Sequence, residues 1–246
     1  MRFRPCCLLG LIATLALLLP ELHGGGEEFK SGLGPGRLIG GPFLPYTLND
    51  RLTKAERAKA RKEEKDDKEI AALTGRFHCM VCEYGLKPVV AIFVREDPDA
   101  KADANEGAVQ ELLKKVDEAV ERHQASYLNS FVIFLTPEAR SSITEKKEED
   151  TEKLVTEAVA RAKLTERLTP LANSLNHVVV GFFPAENLKG WDIAKQPGVT
   201  VMVYAKHKVL ANHAFAEGKL KSAEVEQVIK GVDALFKKTK KKSPQP

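Results

Sequence analysis

Gly198-Val-Thr-Val-Met-Val-Tyr-Ala-Lys-His-Lys-Val-Leu-Ala-Asn-His-Ala-Phe215 consists of two apolar runs separated by Lys206-His207-Lys208. The first run is rich in β-branched and aromatic residues. A short polar break followed by a second apolar run reads as a β-hairpin. Beyond it, Val225, Val228, Ile229, Val232, Leu235 and Phe236 recur at helical spacing, so the hairpin leads into an amphipathic helix. Upstream, Pro88–Val94, Phe131–Leu135 and Val178–Val180 are continuous apolar runs, too short for helices, and read as strands buried on both faces. Between the first two lie Val109, Leu112, Leu113, Val116, Val120 and His123. Between the second and third lie Leu154, Val155, Ala158, Val159 and Ala162. Each set occupies one helical face, and Pro170 is expected to kink or interrupt the second helix. The order strand, helix, strand, helix, strand, short helical loop, hairpin, helix predicts an α/β sandwich. Its sheet is parallel at first and made mixed by the closing antiparallel hairpin.

Outside this region the character of the chain changes. Arg2 and Arg4 precede an apolar run, Cys6–Leu19, that ends at Pro20. That is the shape of a secretory signal, and it falls short of the about 20 apolar residues that span a bilayer. Residues 1–24 are therefore read as a signal peptide cut near Gly24–Gly26, and the protein as exported, periplasmic or extracellular; an uncleaved anchor is the alternative. No integral membrane domain is expected after signal removal. Residues 25–50, dense in glycine and proline, read as a flexible leader. Residues 51–69 contain 14 charged residues, eight basic and six acidic, and read as a solvated helical extension. Residues 70–236 form the expected domain, and 237–246 a disordered basic tail.

The formal net charge is +4, but Lys237, Lys238, Lys240, Lys241 and Lys242 alone exceed it. A nucleic-acid-binding domain carries its basic excess on the fold itself, so no nucleic-acid partner is expected. Four cysteines exclude a disulfide-dense scaffold, and signal removal takes Cys6 and Cys7. Cys79 and Cys82 remain, a Cys-x-x-Cys pair able to bond to itself or to another molecule.

The element order, together with the Gly198–Phe215 stretch, resembles the thioredoxin-like fold in its redoxin branch, a three-layer α/β sandwich. His78-Cys-Met-Val-Cys-Glu-Tyr-Gly85 followed by Pro88-Val-Val is similar to a group of exported bacterial proteins of that fold. The resemblance covers Phe77–Phe236 and implies thiol–disulfide chemistry. It also implies that the more N-terminal cysteine, Cys79, attacks and that Cys82 resolves. The chain departs from the pattern in two places. Where the family has its reactive cysteine, after the first core strand, this sequence has Glu96-Asp-Pro-Asp-Ala-Lys-Ala-Asp-Ala-Asn-Glu-Gly107, without cysteine. A peroxiredoxin of the usual kind is excluded. Val199 stands where the family has a cis-proline.

Cys79 and Cys82 lie instead just before the first core strand. Arg76, His78 and Lys87 would favour a thiolate there, and Glu83 would oppose it. Two functions remain open. One is slow thiol–disulfide exchange through this displaced pair. The other is a non-catalytic interaction module, binding a protein partner, in which the pair is a structural brace. Haem attachment wants His after the second cysteine, where Glu83 stands. A zinc site wants four ligands, and His78, Cys79 and Cys82 supply three at most, with His207 and His213 the remaining candidates. No metal and no cofactor is expected.

Overall fold

In a computed structural model the described residues are 29–50, 74–96, 106–136, 139 and 151–236. The expected signal peptide (1–24), charged extension (51–69) and basic tail (237–246) lie outside them. The chain forms β1 (Tyr46–Thr47), β2 (Arg76–Phe77), α1 (Met80–Tyr84), β3 (Val89–Arg95), α2 (Glu106–Arg122) and β4 (Asn129–Leu135). There follow α3 (Thr151–Ser174), β5 (Val178–Phe183), β6 (Gly198–Ala205), β7 (Lys208–Ala216) and α4 (Ser222–Phe236). One seven-stranded sheet has the order β2-β1-β5-β4-β3-β6-β7. Strands β3, β4 and β5 are parallel, β6 and β7 close it antiparallel, and β1 joins β5 antiparallel. A parallel βαβ unit beside a closing hairpin and terminal helix is the thioredoxin-like arrangement that the sequence implies.

Alternation along the strands divides the core between the two sheet faces. Val90, Ile92, Val94, Val132, Val180, Val201 and Val203 face one side, where α2, α3 and α4 pack. Ala91, Phe93, Phe131, Ile133, Val179, Met202 and Tyr204 face the other. Among the described residues no long helix covers that second side. Its layer is built from the 33–44 segment, α1 and the 184–193 connection, whose Leu33, Phe43, Tyr84, Leu188 and Trp191 are buried.

Two expectations need correction. Residues 25–50 were expected to be a flexible leader, but from Phe29 onward they belong to the domain. Ser31 Oγ lies 2.6 Å from Thr200 Oγ1, Leu33 and Phe43 are buried, and Tyr46–Thr47 extends the sheet. The apolar residues here come singly between glycines and prolines, so no periodicity announces them. Glycine is needed: a β-carbon on Gly40 would run into the Trp191 indole. The second correction concerns α3. The face expected to be buried, with Val155, Ala158, Val159 and Ala162, is exposed. Burial comes from Leu164, Leu168 and Ala172, nearer the end that joins β5. Pro170 is accommodated within the helix, on its exposed side.

Candidate disulfide site

Helix α1 is short because Gly85 ends it: Gly85 takes φ of 54°, which a residue with a side chain adopts at a cost, and donates its N–H to the Val81 carbonyl at 3.1 Å. Its inner face is anchored by Met80, Val81 and Tyr84. The Tyr84 hydroxyl donates to the Ser130 carbonyl at 3.3 Å, and its ring stacks on Phe131 with centroids 6.4 Å apart. Just upstream, the His78 N–H donates to the Pro45 carbonyl at 3.0 Å. These contacts hold α1 and its two cysteines against the sheet.

Cys79 caps the helix. Its backbone is extended, and its Sγ accepts the Cys82 N–H at 3.1 Å. Cys79 is 9% exposed, within the apolar cluster of the second face, whereas Cys82 is exposed to solvent. The two are joined in a disulfide, with Cα atoms 5.3 Å apart. The expected pair is thus brought together, and its halves are unequal: Cys82 is the exposed residue, whereas Cys79 is largely buried and its Sγ accepts an amide hydrogen bond.

The charged residues expected to tune the pair are arranged differently from the simple sequence neighbourhood. His78 Nε2 lies 3.6 Å from Glu83 Oε2, so the two face one another. Lys87 is exposed past the helix end. His213 does not approach the sulfurs. It is paired across strands with Val201, on the helix-covered side, and burial lowers its pKa. Among the described residues no group of three or more His, Cys, Asp or Glu is placed to hold a metal ion.

Around the end of β3 and the start of α2, the described residues line a cleft of about 420 Å3. Glu96 and Glu106 line it, and Arg167 from α3 binds Glu96 through two hydrogen bonds of 2.8 and 2.7 Å. Val109, Phe134 and Leu168 supply its apolar wall. Among the described residues no cysteine or methionine lines this cleft. The acidic stretch that the sequence puts there is met in part by Arg167, a pairing across 71 residues that local reading does not find. The residues 97–105 fall outside the description.

No protein-family model matches the chain, and no curated protein matches it. Solved structures are similar to it. One is the thioredoxin domain of a thiol-disulfide oxidoreductase from Bacteroides vulgatus, 11% identical, with 80% of this chain and 99% of that one covered at a TM-score of 0.38. Another is a thiol:disulfide interchange protein from Bacteroides sp., 8% identical, with 85% and 94% covered at 0.41. A third is Mycobacterium tuberculosis AhpC, 12% identical, with 82% and 98% covered at 0.42. These similarities assign no activity and no residue role.

Proposed function

We propose that the protein carries out thiol–disulfide exchange through Cys79 and Cys82, with Cys82 as the sulfur that a partner attacks. The asymmetry of the pair supports this most: Cys82 is exposed, while Cys79 is 9% exposed and accepts the Cys82 amide. A partner thiolate attacks Cys82 Sγ. A new S–S bond forms there, and the electron pair of the old one leaves on Cys79 Sγ. The Cys82 N–H meets that developing charge, and solvent then supplies the proton. A second partner thiolate attacks the partner's own sulfur in the mixed disulfide and expels Cys82. The partner dithiol is oxidised to a disulfide, and the pair is reduced to two thiols. The reverse sequence makes Cys82, not Cys79, the attacking thiol, opposite to the order the family resemblance implies.

The rival reading is a structural brace in a non-catalytic module. Buried Met80 and Tyr84 already anchor α1, and closing a ring this small removes little chain entropy. Both points favour exchange. The basic-then-apolar start of the sequence favours export to a compartment where the pair oxidises. Among the described residues no helix is long and apolar enough to cross a membrane.

Thiol trapping across glutathione buffers tests the reading. The wild-type pair should be reducible at potentials above about −300 mV, the range below which structural disulfides typically lie. Cys79→Ser should accumulate a lasting mixed disulfide at Cys82, and Cys82→Ser should react about tenfold more slowly because the remaining thiol is covered. A pair that resists glutathione, with Cys82→Ala lowering only the melting temperature, would establish the brace.

A further inference from the structure

Leu86-Lys87-Pro88 joins α1 to β3 and is tied on both sides to the same end of the sheet. The Lys206 N–H, in the β6–β7 turn, donates to the Leu86 carbonyl at 3.1 Å. The Asn129 N–H, two residues past Tyr127, donates to the Pro88 carbonyl at 3.0 Å. Beyond the turn, Ile39 N–H donates to the His207 carbonyl and Val209 N–H to the Arg37 carbonyl, each at 2.9 Å. These bonds bring Leu38, Leu86 and Tyr127 to one sheet end, 71%, 63% and 71% exposed.

The rim of this apolar surface is cationic. Arg37, Lys87, Lys206 and Lys208 are all exposed. No ion pair engages any of the four among the described residues. The turns and linkers at this end, residues 34–41, 85–88, 123–129 and 205–209, contain no Asp or Glu, and Glu83 beside Cys82 faces His78. The turn that displays Lys206 is itself unusual: Lys206 and His207 hold φ of 51° and 60°. That left-handed conformation favours Gly or Asn in a tight hairpin, so a lysine and a histidine are kept here against local preference. Cys82 is four residues before Leu86, a separation that even extended chain limits to about 14 Å. The exposed cysteine and the apolar centre therefore fit beneath one bound polypeptide.

We infer that this end of the sheet is the docking surface for the thiol partner, and that the partner presents an acidic, apolar segment beside its cysteine. The inference rests on the exchange reading of Cys82 and adds the substrate class. Apolar side chains of the partner cover Leu38, Leu86 and Tyr127, while its carboxylates meet the four free cations. Such charge complementarity acts mainly by steering the encounter and fixing its orientation. It delivers a partner thiolate to Cys82 Sγ, where the exchange proceeds with the bond and electron balance given above.

Three synthetic peptides test it on the full chain: a Leu-containing peptide with Glu flanking one cysteine, the same peptide with Lys for Glu, and the Glu peptide with Ser for Cys. The Glu peptide should open the disulfide at least about tenfold faster than the Lys peptide at low salt, and the gap should close at high salt. In the triple variant Arg37→Glu, Lys206→Glu, Lys208→Glu the preference should invert, while the rate with dithiothreitol stays as in wild type. The Ser peptide should bind wild type and not the triple variant, by fluorescence anisotropy. Equal rates for the two peptides, together with no binding of the Ser peptide, would overturn the docking inference and leave exchange standing. Charge-selective binding of the Ser peptide with a disulfide that no thiol opens would instead overturn the exchange reading, and with it the partner's role as thiol substrate.

Discussion

Asn49 ties its own segment to the end of α3 and the start of β5, which lie far along the sequence. Its Nδ2 donates to the Ala172 and Val178 carbonyls at 3.1 and 3.0 Å, and its Oδ1 accepts the Val180 N–H at 2.7 Å. It is almost wholly buried, so the side chain satisfies groups that water cannot reach. Asn49→Ala should lower stability by about 3 kcal/mol, since several buried polar groups lose a partner at once. Urea unfolding should show the midpoint falling with an unchanged slope. Nothing near Asn49 in the sequence marks this role, because its partners lie 123 to 131 residues away. The pairing of Cys79 with Cys82 was legible for the opposite reason: it rests on residue type and local spacing. Which of them faces solvent was not legible, as that depends on Tyr84 reaching Ser130 and Phe131.

Among the elements, strands β3 to β7 and the helices α2 and α4 were readable because each carries a complete apolar run or period, whereas the two-residue strands β1 and β2 were not. Helix α3 was read through the wrong half. Its apolar stripe at Val155 and Val159 has the spacing of a core face, yet the residues near β5 do the packing. Periodicity reports that a face is apolar and cannot report where the sheet ends beneath it. Helix α4 carries a testable imperfection. Gly231 lies in its interior, and a β-carbon there would sit 3.5 Å from His213 Nε2, an ordinary contact. Gly231→Ala should therefore stabilise the protein by about 1 kcal/mol through helix propensity and reduced freedom of the unfolded chain. Differential scanning calorimetry should record a higher melting temperature; a lower one would mean that His213 has no room to accept the methyl group.

At the scale of the molecule, the mixed sheet and its closing hairpin followed from the order of elements, whereas the layer over the second face did not. That layer depends on edge-on aromatic contacts. Phe43 meets Phe183 and Trp191 with ring centroids 5.3 and 5.6 Å apart, and the Trp191 indole donates to the Gly41 carbonyl at 3.2 Å. Trp191→Ala should cost about 3–5 kcal/mol, the usual loss for emptying a buried indole site. It should also open the structure unevenly: limited proteolysis should cut between Leu33 and Phe43 while α2 and α4 remain protected. Cleavage spread evenly over both faces would show that the cover and the helices unfold as one unit.

One part of the cover, the 33–44 segment, comes early in the chain, and part of what it closes over comes much later. Ser31 waits for Thr200, 169 residues on, and for Asn212, 181 residues on. A polypeptide delivered N-terminus first, from a ribosome or through a narrow pore, therefore holds its lid long before it has a box. Loop closure over such a distance must precede the contacts that reward it, which makes this the slow part of folding. Until the hairpin has emerged, Leu33 and Phe43 have no finished surface to settle on. The order of synthesis by itself delays the closing of this face until the hairpin is made.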